Sequence, residues 1–392
     1  MPSTDPSRPG LFIRDPYQYS EATLLVPPVL VQALECFDGI QSALDLRAEL
    51  VRITGEIQVG EIEKNLFDSL DEAGFLENER YREMKARREA EFAQQPRREA
   101  MFAGAAYPAS GSTLRSVLAT QLAAPGGDGA GFAIAAPHAS PDGAWRTYRA
   151  AYQVLPPAEE AGARTFVILG TSHYGAPERF GLTRKNFITP FGEARTAIAL
   201  VEELEQAAPE AVRMEDYCHA VEHSIEFQVV FLQHMYGPDV NILPILCGPF
   251  VKSIYESGMP EDCEPVAKFL DALANISARE SKRLFWVLGI DMAHIGFRYG
   301  DPVRAAANTG EMLAVEQRDR ERIERIGAGD IRGYWSLIQE GHDDLKWCGA
   351  SPLYTFMKTN PDARGDLLDY HQWQIDPQSV VSFGAIRFQP KS

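Results

Sequence analysis

The stretch FVILGTSHYG, residues 166–175, decides the fold. Phe166 to Leu169 form a short apolar run, rich in β-branched and aromatic side chains. It is too short for a buried helix and reads as a strand covered on both faces. Gly170 ends the run and polar Thr171-Ser172-His173 follows, which puts a histidine at the strand's carboxyl end. The same pattern recurs on either side. FAIAAPHAS (132–140) runs into Pro137 and His138, and LFWVLGID (284–291) ends on Asp291. NILPILC (241–247) and QSVVSFGAIRF (378–388) are apolar runs of the same kind. Helical stretches lie between them: TAIALVEELEQAA (196–208), EFQVVFLQHMYG (226–237), EPVAKFLDALANIS (264–277) and NTGEMLAVEQRDRERIERI (308–326). Strands alternating with helices predict an α/β fold of three layers with a mainly parallel central sheet. In such sheets the ligand site lies at the carboxyl ends of the strands, where His138, His173 and Asp291 stand.

The chain has 392 residues, which favours two domains. Its formal net charge of −17 argues against a nucleic-acid binder and against an anionic membrane surface. No apolar run approaches the roughly 20 residues of a membrane span. The start, MPSTDPSRPG, lacks the charged and apolar regions of a signal peptide, so a cytoplasmic protein is expected. Five scattered cysteines (Cys36, Cys218, Cys247, Cys263, Cys348) make no disulfide framework, and the absence of a CxxC pair disfavours a structural zinc site.

Residues 1–10 read as a polar, disordered tail. In residues 11–78, LFIRDP and TLLVPP predict two short strands. VLVQALECF, SALDLRAELVRITG and EIEKNLFDSLDEAGFL then predict about three helices, a winged-helix-like module. Residues 79–100 carry charge of both signs and predict a solvated helical linker ending near Pro96. Residues 101–392 form the α/β domain.

Imidazole nitrogens suit iron, copper and zinc, and a thiolate adds softness. His138, His173 and Cys348, in LKWCGASP (345–352), could together form a small open metal site. Each also has an ordinary reading: a turn histidine, an anion-binding strand end, a small buried thiol. Cys348 precedes what reads as a helix start, where a thiol's pKa is expected to fall. His219, Glu222, His223 and Glu226 fall at helical spacing and would share one helix face. His-x-x-Glu-His also matches an inverted zinc-peptidase motif, which offers a zinc hydrolase as an alternative. Asp291 and His294 could bind metal, orient substrate or serve as acid and base, and Asp291 could equally cap a turn.

Taken in order, the motifs resemble the Memo family. They are Ala105-Ala106-Tyr107-Pro108, Ala136-Pro137-His138-Ala139, Leu169-Gly170-Thr171-Ser172-His173, Glu222-His223-Ser224-Ile225-Glu226, Asp291-Met292-Ala293-His294, Cys348-Gly349-Ala350-Ser351-Pro352 and Ser379-Val380-Val381. The resemblance implies the architecture of class III extradiol dioxygenases and a mononuclear site for iron(II) or copper, with zinc less expected. It implies His138, His173 and Cys348 as metal ligands, Asp291 and His294 as acid/base groups beside the metal, and Glu222 and His223 as their support. Tyr174 stands where the family has a second histidine, so the shape of the pocket does not carry over. Leu34, Phe37, Asp38, Gly39, Leu70 and Phe75 resemble a PqqD-like peptide-recognition module. That likeness implies a peptide or a radical-SAM system protein as partner. A non-catalytic scaffold is the remaining alternative.

Overall fold

The computed structural model describes residues 7–122, 124–127, 131–157 and 164–391. It divides into two units, residues 1–94 and 95–392. Residues 1–6 of the expected tail lie outside the described residues. Among the described residues no helix is long and apolar enough to cross a membrane.

The smaller unit opens with two antiparallel strands, β1 (Leu11–Arg14) and β2 (Thr23–Val26). Its α-helices are Ala43–Thr54, Gly60–Glu72 and Glu79–Gln94. Leu46 and Leu50 from the first of these meet Leu66 and Leu70 from the second around a small core. VLVQALECF departs from expectation: it forms tight 3-10 turns at Pro28–Leu30 and Gln32–Phe37 instead of an α-helix. Pro27 and Pro28 explain part of this, because they fix φ and remove two backbone donors at its start. The linker expected over 79–100 is divided. Helix Glu79–Gln94 belongs to the smaller unit, where Tyr81 meets the Tyr19 ring edge-on at 6.1 Å and Arg88 pairs with Glu21 at 2.5 Å. Residues 95–100 belong to the larger unit.

The larger unit contributes β3 (Arg97–Arg98), β4 (Ala133–Ala136), β5 (Thr165–Thr171), β6 (Phe180–Leu182), β7 (Asn186–Thr189), β8 (Gly192–Thr196), β9 (Val212–Met214), β10 (Asn241–Cys247), β11 (Leu284–Gly289), β12 (His294–Gly296), β13 (Ala363–Asp376) and β14 (Ser379–Pro390). The path across the sheet is β12-β14-β4-β11-β5-β10-β8-β7-β3. From β4 to β8 every pairing is parallel. Beyond them β14 pairs β4 and β7 pairs β8 antiparallel, and the outermost strand, β3, pairs β7 in parallel.

Alternation along the strands builds two cores. Val167, Leu169, Leu243, Ile245, Trp286 and Leu288 face one side, packed with helices Ile198–Ala207, Glu264–Arg279, Glu311–Ala328, Ile331–Gln339 and Ala350–Thr359. Phe166, Ile168, Ile242, Leu246, Phe285 and Val287 face the other, packed with helices Gly111–Gln121, Pro141–Tyr152 and Glu226–Tyr236. This is the expected three-layer α/β fold.

Strands β4, β11 and β5 lie side by side, with Ala136 level with Gly289 and Gly289 level with Gly170. Their three continuations therefore leave the sheet together and carry His138, Asp291 and His173. Gly170 and Gly289 shape the spot. A Cβ at Gly289 would lie 2.2 Å from the Ser224 carbonyl oxygen, and one at Gly170 would lie 2.5 Å from Ser224 Oγ. Their bareness lets the Ser224 segment rest directly on the strand ends.

Candidate metal centre

His138 follows β4 and is almost fully buried. Its Nδ1 lies 2.9 Å from the Gly289 carbonyl. A carbonyl can only accept, so Nδ1 carries the hydrogen and Nε2 keeps a lone pair. Burial, with His173 and His223 nearby, holds its pKa well below 6.5, so the ring is neutral at neutral pH. His173 follows β5. Its backbone N–H donates to Glu222 Oε2 at 3.0 Å, and its Nδ1 lies 3.0 Å from the same oxygen. Burial opposes a charge on His173, but the Glu222 carboxylate outweighs it and raises the pKa.

Glu222 also accepts from the backbone N–H of His223 at 2.9 Å, and Nδ1 of His223 lies 3.1 Å from Oε1. One buried carboxylate thus orients two imidazoles. Burial alone would push its pKa up, but His173 and His223 hold it well below the ordinary carboxylate value. The rings of His173 and His223 stack at 5.1 Å, and His138 stands edge-on to each, at 5.0 and 5.1 Å. With every Nδ1 engaged, three Nε2 lone pairs remain. One donor atom from each of His138, His173 and His223 lies within 4.8 Å of the others. His223, which the Memo resemblance implies as support and the zinc-peptidase motif as a ligand, stands in this set as an equal. The signal was already present in its adjacency to Glu222.

Cys348 lies against the same group. Its Sγ is 3.3 Å from His138 Nε2 and 3.4 Å from the Asp291 carbonyl oxygen. The expected fall in its pKa is reversed. Burial pushes the thiol well up, and Asp291 adds to the rise. The helix begins only at Ala350, two residues beyond the thiol.

Asp291 Oδ1 accepts from the backbone N–H groups of His138 and Ala139 at 3.0 and 3.2 Å. Its Oδ2 faces His138 Nε2 at 3.6 Å, and burial raises its pKa. Nδ1 of His294 lies 2.9 Å from the Met292 carbonyl oxygen and 3.1 Å from that of Lys346. Its ring meets Tyr299 edge-on at 4.9 Å. Sequence reasoning missed Thr171, whose hydroxyl donates to the Cys348 carbonyl at 2.8 Å and ties two site segments together.

The expected four-residue helix face is corrected. Helix Cys218–Val221 stops at Glu222, which is extended (φ −88°, ψ 138°), and the next helix starts at Glu226. The Glu222 carboxylate accepts the N–H groups of His223 and Ser224, and this local alternative competes with the helix. His219 consequently points elsewhere, its Nε2 3.0 Å from the Gly181 carbonyl oxygen. The zinc-peptidase set of His219, Glu222 and His223 is not assembled. Glu226 does a structural job: it pairs with Arg98, accepts from Tyr107, and takes the backbone N–H groups of Met101 and Phe102 at 3.0 and 2.9 Å. Arg98 in turn donates to the carbonyls of His219 and Glu222 at 2.8 and 2.9 Å.

Burial lowers His219 and His294 from 6.5 to about 4. Unfolded chains bind these protons near 6.5, so stability is complete above that pH and falls as pH drops toward 4. Each histidine contributes roughly 3 kcal/mol to this loss. Thermal midpoints recorded across that window should fall steadily toward acid, and a flat profile would contradict the two assignments.

Fold and donor set define an α/β protein that gathers three imidazoles and a thiol at the carboxyl ends of parallel strands. Residues 98–387, well over half of the chain, match the family described as Memo-like protein, and the chain belongs to that family. A "MEMO1 family protein" of Aquifex aeolicus is 26% identical over 381 residues, covering 96% of this chain and 95% of that protein. "MEMO1 family protein TK1477" of Thermococcus kodakarensis is 29% identical over 304 residues, covering 73% of this chain and 97% of its own. The Aquifex similarity therefore extends through the smaller unit, whereas the Thermococcus protein is nearly spanned by a match to 73% of the chain. Among solved structures, an uncharacterized protein from Escherichia coli K12 aligns with a TM-score of 0.37 and 11% identity, over 59% of this chain and 87% of that one.

Proposed function

We propose that this Memo-family protein holds a mononuclear iron or copper ion and performs redox chemistry of a dioxygenase-like kind. His138, His173 and His223 would supply imidazole nitrogens, with Cys348 as an additional soft donor. One observation carries this reading. Each Nδ1 lies beside an acceptor, the Gly289 carbonyl or the Glu222 carboxylate, and each of the three rings places one nitrogen within 4.8 Å of those of the other two. Ligating histidines are held in this way.

A bound ion would supply Lewis acidity, a redox couple and open positions for substrate. The protein's own groups do the rest. Burial keeps His138 neutral, so its lone pair is available. Glu222 keeps His173 and His223 from rotating. Asp291 and His294 are the acid/base groups. Burial lets Asp291 retain a proton more readily than an exposed carboxyl does. His294 is held neutral with its Nδ1 hydrogen on carbonyl oxygens, which leaves Nε2 unprotonated.

Metal analysis after anaerobic purification tests the reading. Wild type should carry iron or copper near one equivalent, and His138→Ala and His173→Ala should fall to background. Cys348→Ala should bind more weakly, by about ten- to hundredfold. Zinc in wild type would overturn the choice of metal. Equal metal content in all variants would overturn the site.

A further inference from the structure

Helix Glu311–Ala328 carries a carboxylate that no role above uses. Asp319 is completely buried. Its Oδ1 accepts from Trp347 Nε1 at 2.7 Å. Its Oδ2 accepts from the hydroxyls of Ser382 and Tyr370 at 2.6 and 2.7 Å. Each hydroxyl also accepts a bond of its own. Ser382 Oγ itself accepts the Ala293 backbone N–H at 2.9 Å, and the Tyr370 oxygen accepts from Gln372 Nε2 at 3.2 Å. The indole can only donate. Asp319 accepts from all three partners.

Two of those partners lead to the metal pocket. Trp347 immediately precedes Cys348. Ser382 holds Ala293, which lies between Asp291 and His294, and its backbone also exchanges hydrogen bonds with Met292 and Ala293 at 2.8 and 2.9 Å. The approach to Cys348 is itself strained. His342, Asp343 and Lys346 have φ of 55°, 55° and 53°, left-handed values that side chains other than glycine disfavour. Such a segment keeps its shape only where surrounding contacts over-determine it. Trp347, buried and tied to Asp319, is one of those contacts.

We infer that Asp319 is a positioning residue that fixes the Cys348 segment against the Asp291–His294 segment, through Trp347 on one side and Ser382 on the other. The role concerns where the thiol sits. It rests on the proposed metal site only for its effect on metal affinity, so it can be read out without metal.

The experiment follows alkylation of the metal-free, full-length protein by iodoacetamide, with each cysteine quantified by peptide mass spectrometry. Trp347→Phe keeps a smaller aromatic ring and removes the indole donor. Asp319→Asn keeps the shape and sets an amide donor against at least one of three donors. Both should raise the Cys348 alkylation rate by about tenfold, the effect of losing one charge-assisted hydrogen bond on a local opening. Tyr370→Phe removes the arm that has no bond of its own to the Cys348 or Asp291–His294 segment and should stay within about twofold. Buried Cys247 is the internal reference for global unfolding. If Asp319→Asn exposes Cys247, the decision falls to Trp347→Phe. Unchanged Cys348 rates in the variants that keep Cys247 protected would overturn the role. So would equal acceleration in Tyr370→Phe, which would mean general loosening. Failure of wild type to hold metal would sink the metal reading and leave this result standing.

Discussion

Glu222→Gln should weaken metal binding by about ten- to hundredfold while leaving the fold intact. The carboxylate accepts five times: from the backbone N–H groups of His173, His223 and Ser224, and from the Nδ1 atoms of both imidazoles. A glutamine of the same shape must turn an NH2 group toward at least one of these donors. The imidazoles are the partners free to yield, by rotation or by moving their hydrogen to Nε2. Either response removes a lone pair from the group of three. The carboxylate's negative charge also raises the basicity of His173, and that contribution disappears as well. Competition against a chromophoric chelator would measure the change. A loss smaller than about threefold would show that Glu222 does not set the imidazole tautomers.

The second large effect is on stability. Glu226→Ala should cost about 3–5 kcal/mol, because it leaves Arg98 buried without its counter-charge. Both side chains are essentially inaccessible, at 1% and 0%. The same substitution orphans the N–H groups of Met101 and Phe102 and the hydroxyl of Tyr107. Urea unfolding followed by circular dichroism gives the value. A loss under about 1 kcal/mol would mean that the segment relaxes enough to let water reach Arg98.

The two effects separate what the sequence makes legible from what it does not. The central strands and long helices are plain in it, because each is a run of one period, buried on one or both faces. β6, β7, β8 and β9 escape notice. They are three to five residues long, and β7 and β8 are only partly buried, so their composition is mixed. Helix Pro141–Tyr152 is hidden by a proline at its first position, though that is where a helix tolerates one. At the site, His138, His173, Asp291 and Cys348 are legible as strand and loop ends. The helix break at Glu222 is not. Spacing alone makes His219 and His223 neighbours on one face, and only the carboxylate's turn toward its own backbone separates them. The direction of the Cys348 pKa is likewise invisible, since it depends on burial by segments distant in the chain.

Gly170 and Gly289 carry a consequence beyond packing. The seat for the Ser224 turn is made from two missing methyl groups. The distance between the Glu222-held rings and His138 is therefore recorded in no side chain of the pocket. It is set by how closely one backbone can approach two others. Any catalogue of the groups that could touch an ion would omit the two residues that decide whether those groups meet.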